Sequence, residues 1–310
     1  MAAGPPRNCL ESDMAKPERI GLIGVGLMGH GIGKNILAKG FALNVLAHRN
    51  RGPVEDLVAK GAKELKSPRE VTSASDLVIT VVGNSNQLED IVFGEDGILA
   101  GVHKGTIMAD CTTAMPDSTL KIAKAIQGKG GRFVDTPMTR TPKEAEAGKL
   151  GLMTGGDPAT LAEIRPVLEC FADLIVHCGE VGAGHKVKLV NNMLSLGYGM
   201  VTAEALLAAK KGGIDLKALR EIVSGGGANS VMFQRLAAYA IEGDNTQLRF
   251  AITNAAKDVR YFTHMCESLQ AATPVAQAIH QSYAMASNMG FGEQYVPSMV
   301  DLLGKWNEKK

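Results

Sequence analysis

The chain has no apolar run long enough to span a bilayer, so no transmembrane helix is expected. It has no excess of either charge: 33 basic residues stand against 32 acidic ones, a net charge of +1. Neither nucleic acid nor an anionic membrane surface is therefore expected as a main partner. Its cysteines (Cys9, Cys111, Cys170, Cys178, Cys266) are scattered, odd in number and without paired metal-ligand spacing. Reduced thiols in a cytoplasmic protein are expected, with no disulfide frame and no metal, and Cys111 is read as a packing residue. Residues 1–18 include Gly4, Pro5, Pro6, Glu11, Asp13 and Pro17, lack the apolar core of a secretory signal, and carry acids that a transit peptide avoids. They are read as a disordered extension. A last absence is local: no carboxylate stands between Phe41 and Asn50.

At 310 residues, 45% apolar and 21% charged, the chain has the composition of a globular protein and the length of two domains. From Arg19 to Val176 strand and helix patterns alternate. Phe41–Ala47, Leu77–Val82, Thr106–Asp110, Arg132–Asp135, Leu152–Thr154 and Leu174–Val176 read as strands. Between them, 53–61, Ser118–Gln127 and Asp157–Phe171 read as helices. Repeated βα units imply an α/β, Rossmann-type, doubly wound parallel sheet over residues 19–181, with ligands at the carboxyl ends of its strands. After Gly184 the character changes. His185–Lys211 has no proline and an apolar helical period, and 216–223, 230–242, 248–268 and 274–289 follow as further helices. Residues 182–310 are thus expected to form an all-α domain. Its long first helix, about 40 Å if unbroken, is apolar on more than one face, which implies burial between domains or subunits.

The most informative stretch is the first strand, Ile20–Ile23, running into Gly24-x-Gly26-x-x-Gly29 and then a helix on which Met28, Ile32, Ile36 and Leu37 recur. Gly24 allows the tight turn, Gly26 lets backbone approach a pyrophosphate, and Gly29 lets helix and strand pack closely. The helix N-terminus offers unpaired N–H groups and partial positive charge to phosphates. Gly24, Gly26, Leu27, Met28 and Gly29 are the expected dinucleotide loop. An NAD site usually has an acid near the end of the second strand for the ribose 2′-OH. Here that place is taken by His48-Arg49-Asn50-Arg51, and two guanidiniums suit a 2′-phosphate. NADP(H) is expected ahead of NAD(H); the competing reading of this turn is a solvated basic loop. In the long helix Lys188 and Asn192 are four apart and share a face. Burial lowers a lysine's pKa towards the range that acid–base work at a reacting oxygen needs. The alternative is a surface lysine beside a helix-interior asparagine.

Four segments in order carry a resemblance. They are the Gly24–Asn35 glycine loop, Asp135-Thr-Pro137 through Ala145-Glu-Ala-Gly148-Lys-Leu150, Gly182-Ala-Gly184 through Lys188-Leu-Val-Asn191-Asn192, and Lys257-Asp258. The chain resembles the β-hydroxyacid dehydrogenase family, the group of 3-hydroxyisobutyrate dehydrogenase and tartronate semialdehyde reductase. The resemblance implies that Lys188 is the catalytic acid/base, that Asn192 holds the substrate beside it, and that Lys257 approaches cofactor and active site. It also matches Asp110-Cys111-Thr112-Thr113 to the family's Asp-Met-Ser-Thr, placing Thr113 near the nicotinamide. The family's Pro-Val-Ser-Gly-Gly substrate loop is here Pro137-Met138-Thr139-Arg140-Thr141, followed by Pro142. The Arg-Thr pair resembles the sulfolactaldehyde reductase branch. Thr139, Arg140 and Thr141 are therefore expected to bind the substrate's anion, be it carboxylate, sulfonate or phosphate. The alternative is that Arg140 turns outward into solvent. The expected activity is an NAD(P)-dependent hydride transfer between a short 3-hydroxy acid, or related anionic alcohol, and its semialdehyde. The expected assembly is a homodimer or homotetramer. A non-catalytic dinucleotide-binding scaffold and an imine reductase are the rival readings, and the intact Lys-x-x-Asn-Asn segment counts against both.

Overall fold

The computed structural model describes residues 17–307, so nearly all of the 1–18 extension lies outside the described residues. The chain divides into two compact units: residues up to Thr112 with Asp117–His185, and Thr113–Pro116 with Lys186 onward. The first unit is built on β1 (Arg19–Ile23), α1 (Leu27–Ala38), β2 (Ala42–Leu46), α2 (Gly52–Ala59), β3 (Lys63–Leu65), α3 (Pro68–Ser73), β4 (Leu77–Thr80), α4 (Ser85–Phe93) and α5 (Ile98–Gly101). It continues with β5 (Ile107–Asp110), α6 (Pro116–Gly128), β6 (Arg132–Asp135), β7 (Met138–Thr139), α7 (Pro142–Glu146), β8 (Leu150–Gly155), α8 (Pro158–Leu168) and β9 (Ala172–Gly179).

The strands form one sheet in the order β3-β2-β1-β4-β5-β6-β8-β7, with β9 also paired to β8. The first six places are the 3-2-1-4-5-6 order of a doubly wound dinucleotide fold. β4 and β5 are buried at every residue, as strands covered on both faces must be, and this explains their continuous apolar sequence. The expected all-parallel sheet holds from β3 to β6. Beyond it β8 runs antiparallel to both β6 and β7, because the short excursion through β7 and α7 reverses the chain without a full crossover helix. Ile20, Leu22, Ile32, Ile36, Val45, Leu57, Ile79 and Ile107 form the centre of this unit's core.

The second unit is helical: α9 (Ala183–Lys211), which begins at the end of the first unit, then α10 (Leu216–Ser224), α11 (Val231–Glu242), α12 (Ile252–Ser268), α13 (Pro274–Ala286) and α14 (Met299–Trp306). The α/β Rossmann sheet followed by an all-α region is the fold. α12 starts four residues later than its apolar pattern predicts, since Ala251 is extended and bridges Tyr295. α13 gives way at Ser287 to a wide turn in which Gly290 adopts φ +90°. Two of the three glycines of α9 allow close helix packing: a Cβ on Gly199 would stand 3.1 Å from Met232 Cε, and one on Gly197 3.3 Å from Ile279 Cδ1. Buried Tyr283 donates its hydroxyl to the carbonyl of Leu196, 2.9 Å away. Among the described residues no helix is long and apolar enough to cross a membrane.

His30 ties three helices of the first unit together. Its Nδ1 is 2.6 Å from Glu146 Oε1 at the end of α7, and its Nε2 is 2.8 Å from Asp56 Oδ2 on α2. Carboxylates only accept, so both bonds together require the imidazolium. Burial opposes that charge, but the hydrogen bonds His30 donates to Glu146 and Asp56 outweigh it and raise the pKa above its ordinary 6.5. Stabilisation by His30 is complete below pH 6.5, down to the carboxylate range, and is lost as pH rises through the raised value. His30→Gln is expected to lower Tm by about 2–4 °C near pH 6. The deficit should shrink as the pH is raised in thermal melts; a deficit independent of pH would assign His30 a packing role only.

Candidate active site

The glycine turn after β1 is fixed by sterics. Gly24 has φ +105°, and a Cβ there would lie 2.0 Å from the carbonyl oxygen of Val81. A Cβ on Gly29 would lie 2.0 Å from the carbonyl oxygen of Gly24. Gly26 differs: it is the N-cap of α1, no side chain caps the helix there, and a Cβ would meet nothing within 4 Å. Leu27 follows at the helix start with 70% of its surface exposed. An open, uncapped helix N-terminus with a glycine at its rim fits the pyrophosphate of a dinucleotide.

The basic turn 48–51 leaves the same sheet edge from β2, since β1 and β2 pair in parallel with Ile23 opposite Leu46. Asn50 Oδ1 accepts from the N–H of Gly52, closing the turn into α2. Arg51 Nη1 and Nη2 reach Glu64 at 3.1 and 3.0 Å, and its Nε reaches Glu55 at 3.3 Å. Among the described residues no hydrogen bond or ion pair engages His48 or Arg49. After β5, Asp110 Oδ1 accepts from Thr80 Oγ1 and from the N–H of Thr112, and Thr112 Oγ1 accepts from the N–H of Val82. These bonds shape the segment that leads to half-buried Thr113. Cys111 is buried, and burial pushes its thiol up to about 12, which keeps it unreactive and suits packing.

In the loop after β6, Arg140 has φ +80°, a left-handed backbone for a non-glycine residue. Its Nη1 donates to the carbonyl of Lys149 and to Asp173 on β9. The Thr141 hydroxyl donates to Glu144, whose carboxylate also accepts the Thr141 N–H, a capping box that starts α7 at Pro142. Among the described residues the hydroxyl of Thr139 has no hydrogen-bond partner. Two of the three expected anion-binding side chains are thus held by the protein's own acids.

The second unit gathers a compact polar cluster. Asn192 Nδ2 donates to Asp258 Oδ2 at 2.6 Å, and Lys257 Nζ lies 3.1 Å from Asp258 Oδ1. Asp258 and Asn192 are buried, at 2% and 7% exposure. Lys188 is half-buried one turn before Asn192, between buried His185 and Leu189. Burial lowers its amine to about 8; the Asp258 carboxylate works against that fall and the Lys257 charge adds to it. Leu189 anchors this stretch of α9 against Tyr261 and Met265 of α12. The structure therefore brings Lys188, Asn192 and Lys257 together, and collects the glycine loop and the basic turn along one sheet edge. Sequence reasoning named Asp258 only as a neighbour of Lys257 and missed Glu64, Asp173 and Glu144. Only Asp258 carried a signal, its adjacency to Lys257.

Residues 19–179 match the family described as the NAD-binding domain of 6-phosphogluconate dehydrogenase. Residues 182–303 match that described as NAD-binding of NADP-dependent 3-hydroxyisobutyrate dehydrogenase. The chain is 32% identical to 2-(hydroxymethyl)glutarate dehydrogenase of Eubacterium barkeri, over 93% of this chain and 95% of that protein. It is 30% identical to glyoxylate/succinic semialdehyde reductase 2, chloroplastic, of Arabidopsis thaliana, over 92% of this chain and 79% of that one. Among solved structures, 3-hydroxyisobutyrate dehydrogenase from Salmonella typhimurium superimposes with a TM-score of 0.82 at 26% identity, covering 92% of this chain and 99% of that one. The chain belongs to the β-hydroxyacid dehydrogenase family, enzymes that use a nicotinamide dinucleotide.

The contrast between Gly24 and Gly26 is testable. Gly24→Ala is expected to destabilise the fold by about 1–3 kcal/mol or more, from the positive φ and the clash with Val81. Gly26→Ala should leave Tm unchanged while weakening dinucleotide binding by on the order of tenfold, because its methyl meets only the ligand. Calorimetric titration beside thermal melts separates the two; unaltered dinucleotide affinity in Gly26→Ala would move the pyrophosphate elsewhere.

Proposed function

We propose that this chain interconverts a short anionic hydroxy acid and its semialdehyde, with NADP(H) preferred over NAD(H) and Lys188 as proton donor and acceptor. The observation that carries the reading is Lys188 itself: on one face with Asn192, beside the Lys257–Asp258 pair, with its amine held down at about 8. The activities named for the relatives, a hydroxy-acid dehydrogenase and a semialdehyde reductase, support a short acid as substrate. The nicotinamide ring supplies hydride in reduction and receives it in oxidation. Lys188 Nζ gives its proton to the substrate's carbonyl oxygen in reduction and takes it from the hydroxyl in oxidation. Asn192, its amide orientation fixed by Asp258, holds the substrate beside that amine. Thr139, Arg140 and Thr141 hold the anionic group. Arg140 is suited to this because its bonds to Asp173 and to the Lys149 carbonyl use Nη1 and fix the plane of the guanidinium.

Two experiments test the reading. A reductive step needs charged Lys188, so reductive kcat/KM should fall as pH rises through about 8, and oxidative turnover should rise through the same point. Lys188→Ala should lower kcat by about a hundredfold or more and abolish that limb. Near-native turnover in Lys188→Ala would remove the lysine from the mechanism.

Arg140→Gly should raise KM for anionic substrates severalfold with a smaller effect on kcat, the signature of a contact made equally in ground and transition states. Glycine accepts φ +80° without strain, so Tm should not fall through the backbone. A KM unchanged for every anionic substrate would leave Arg140 as the partner of Asp173 alone.

A further inference from the structure

β1, β2 and β3 run parallel side by side, so their carboxyl ends form one edge of the sheet. The glycine turn leaves that edge after β1 and the basic turn after β2. One strand further out, Glu64 stands opposite Val45 and Leu65 opposite Leu46, which sets the Glu64 carboxylate beside the basic turn. Dinucleotides lie across such an edge, with the adenosine ribose over the end of the second strand. Glu64 is thus an acid at the 2′ position of the site, contributed by the neighbouring strand instead of by β2.

Its contacts are specific. Both Glu64 oxygens are taken by Arg51, one on each terminal guanidinium nitrogen, while Glu55 takes Nε. The guanidinium of Arg51 is therefore enclosed by two carboxylates, the paired geometry that a phosphate would otherwise adopt. A dianionic 2′-phosphate approaching Arg51 would have to displace Glu64 or lie beside its charge, and the ribose 2′-OH of NAD meets no such conflict. Arg49, exposed like the rest of the turn, has no carboxylate partner among the described residues.

We propose that Glu64 is a specificity-determining residue of the dinucleotide site: it occupies the fork of Arg51, leaves the 2′-phosphate to Arg49, and holds the preference for NADP(H) below what two free arginines would give. The inference rests on the reading that the 48–51 turn faces the 2′-phosphate.

The test is calorimetric titration of the full chain with NADPH and with NADH at one fixed ionic strength. Parent, Arg49→Ala, Arg51→Ala, Glu64→Gln, Glu64→Ala and Glu64→Gln/Arg51→Ala are compared. Arg49→Ala should weaken NADPH by tenfold or more, the scale of a charged hydrogen-bond pair, and leave NADH unchanged. Glu64→Gln should tighten NADPH by about three- to fivefold, the scale of an exposed ion pair released to a new partner, with no change for NADH. Combined with Arg51→Ala the gain should vanish, because no fork remains to be released. Glu64→Ala guards against a glutamine that keeps one bond to Arg51. If Arg49→Ala weakens NADPH while neither Glu64 variant tightens it, the role of Glu64 is overturned and the 2′-phosphate reading stands. Tightening of NADH to the same degree, or persistence of the gain without Arg51, also overturns it. If Arg49→Ala leaves NADPH unaffected, both the reading and the role of Glu64 fall.

Discussion

At Gly24 and Gly29 main chain meets main chain, and the dinucleotide edge depends on that contact. With a would-be Cβ 2.0 Å from a carbonyl oxygen at each position, no side chain fits without moving β1 away from the residues after β4 or α1 away from the turn. β1 is the strand from which both halves of the doubly wound sheet extend, paired to β2 on one side and β4 on the other. A shift there would propagate to the register that aligns Ile23 with Leu46 and Thr80. Gly31 continues the same economy of space: its Cβ would stand 2.5 Å from the backbone of Ala145. α7 is thereby seated directly on the dinucleotide helix, and the loop carrying Thr139–Thr141 is held at the entrance to α7. Three glycines without side chains thus set where both the turn after β1 and the 139–141 loop of the first unit stand.

Around this frame several cationic side chains are met by carboxylates. Arg51 meets Glu64 and Glu55, Arg140 meets Asp173, His30 meets Asp56 and Glu146, and Lys257 meets Asp258. Exposure decides what each pair does. Arg51 and Arg140 stay substantially solvated, so their acids orient and partly neutralise them at little gain in stability. Asp258 is buried, and a carboxylate at 2% exposure is costly without partners. The Asn192 amide and the Lys257 ammonium meet that cost, and the same charge limits how far burial can lower Lys188. The cluster thus sets one lowered amine beside a buried carboxylate and a second lysine.

How much of this was legible in the sequence follows from the range of each interaction. The strand–glycine–helix motif, the buried strands β4 and β5 and the long α9 are local patterns, and the sequence shows them with boundaries off by a few residues. β3 escaped because it is three residues long, polar and at a sheet edge. β7 and α7 escaped because two- and five-residue elements have no measurable period. The antiparallel turn of β8 escaped because side-chain alternation does not encode strand direction. At the candidate site, the Lys188 and Asn192 pair was visible as an i, i+4 face. The acids that restrain the arginines were not: Glu64 and Asp173 reach them from neighbouring strands, and only sheet order brings them close.

Arg140 brings these strands together, because its presence is unfavourable on backbone grounds. The resemblance places a glycine here, and the chain keeps a glycine's conformation, φ +80°, with an arginine in it. A non-glycine residue in that region costs about 1–3 kcal/mol. Its pairing with Asp173, about one-third exposed on the arginine and nearly half on the acid, contributes only about 0–1 kcal/mol at such exposure. The ion pair alone does not offset the strain; the second bond of Nη1, to the Lys149 carbonyl, contributes on the same side. The guanidinium has its plane fixed by Nη1, on a backbone that keeps a glycine's turn. Under the proposed anion contact, what arginine adds to a glycine turn is the free side of that guanidinium, since only Nη1 is engaged by the protein among the described residues.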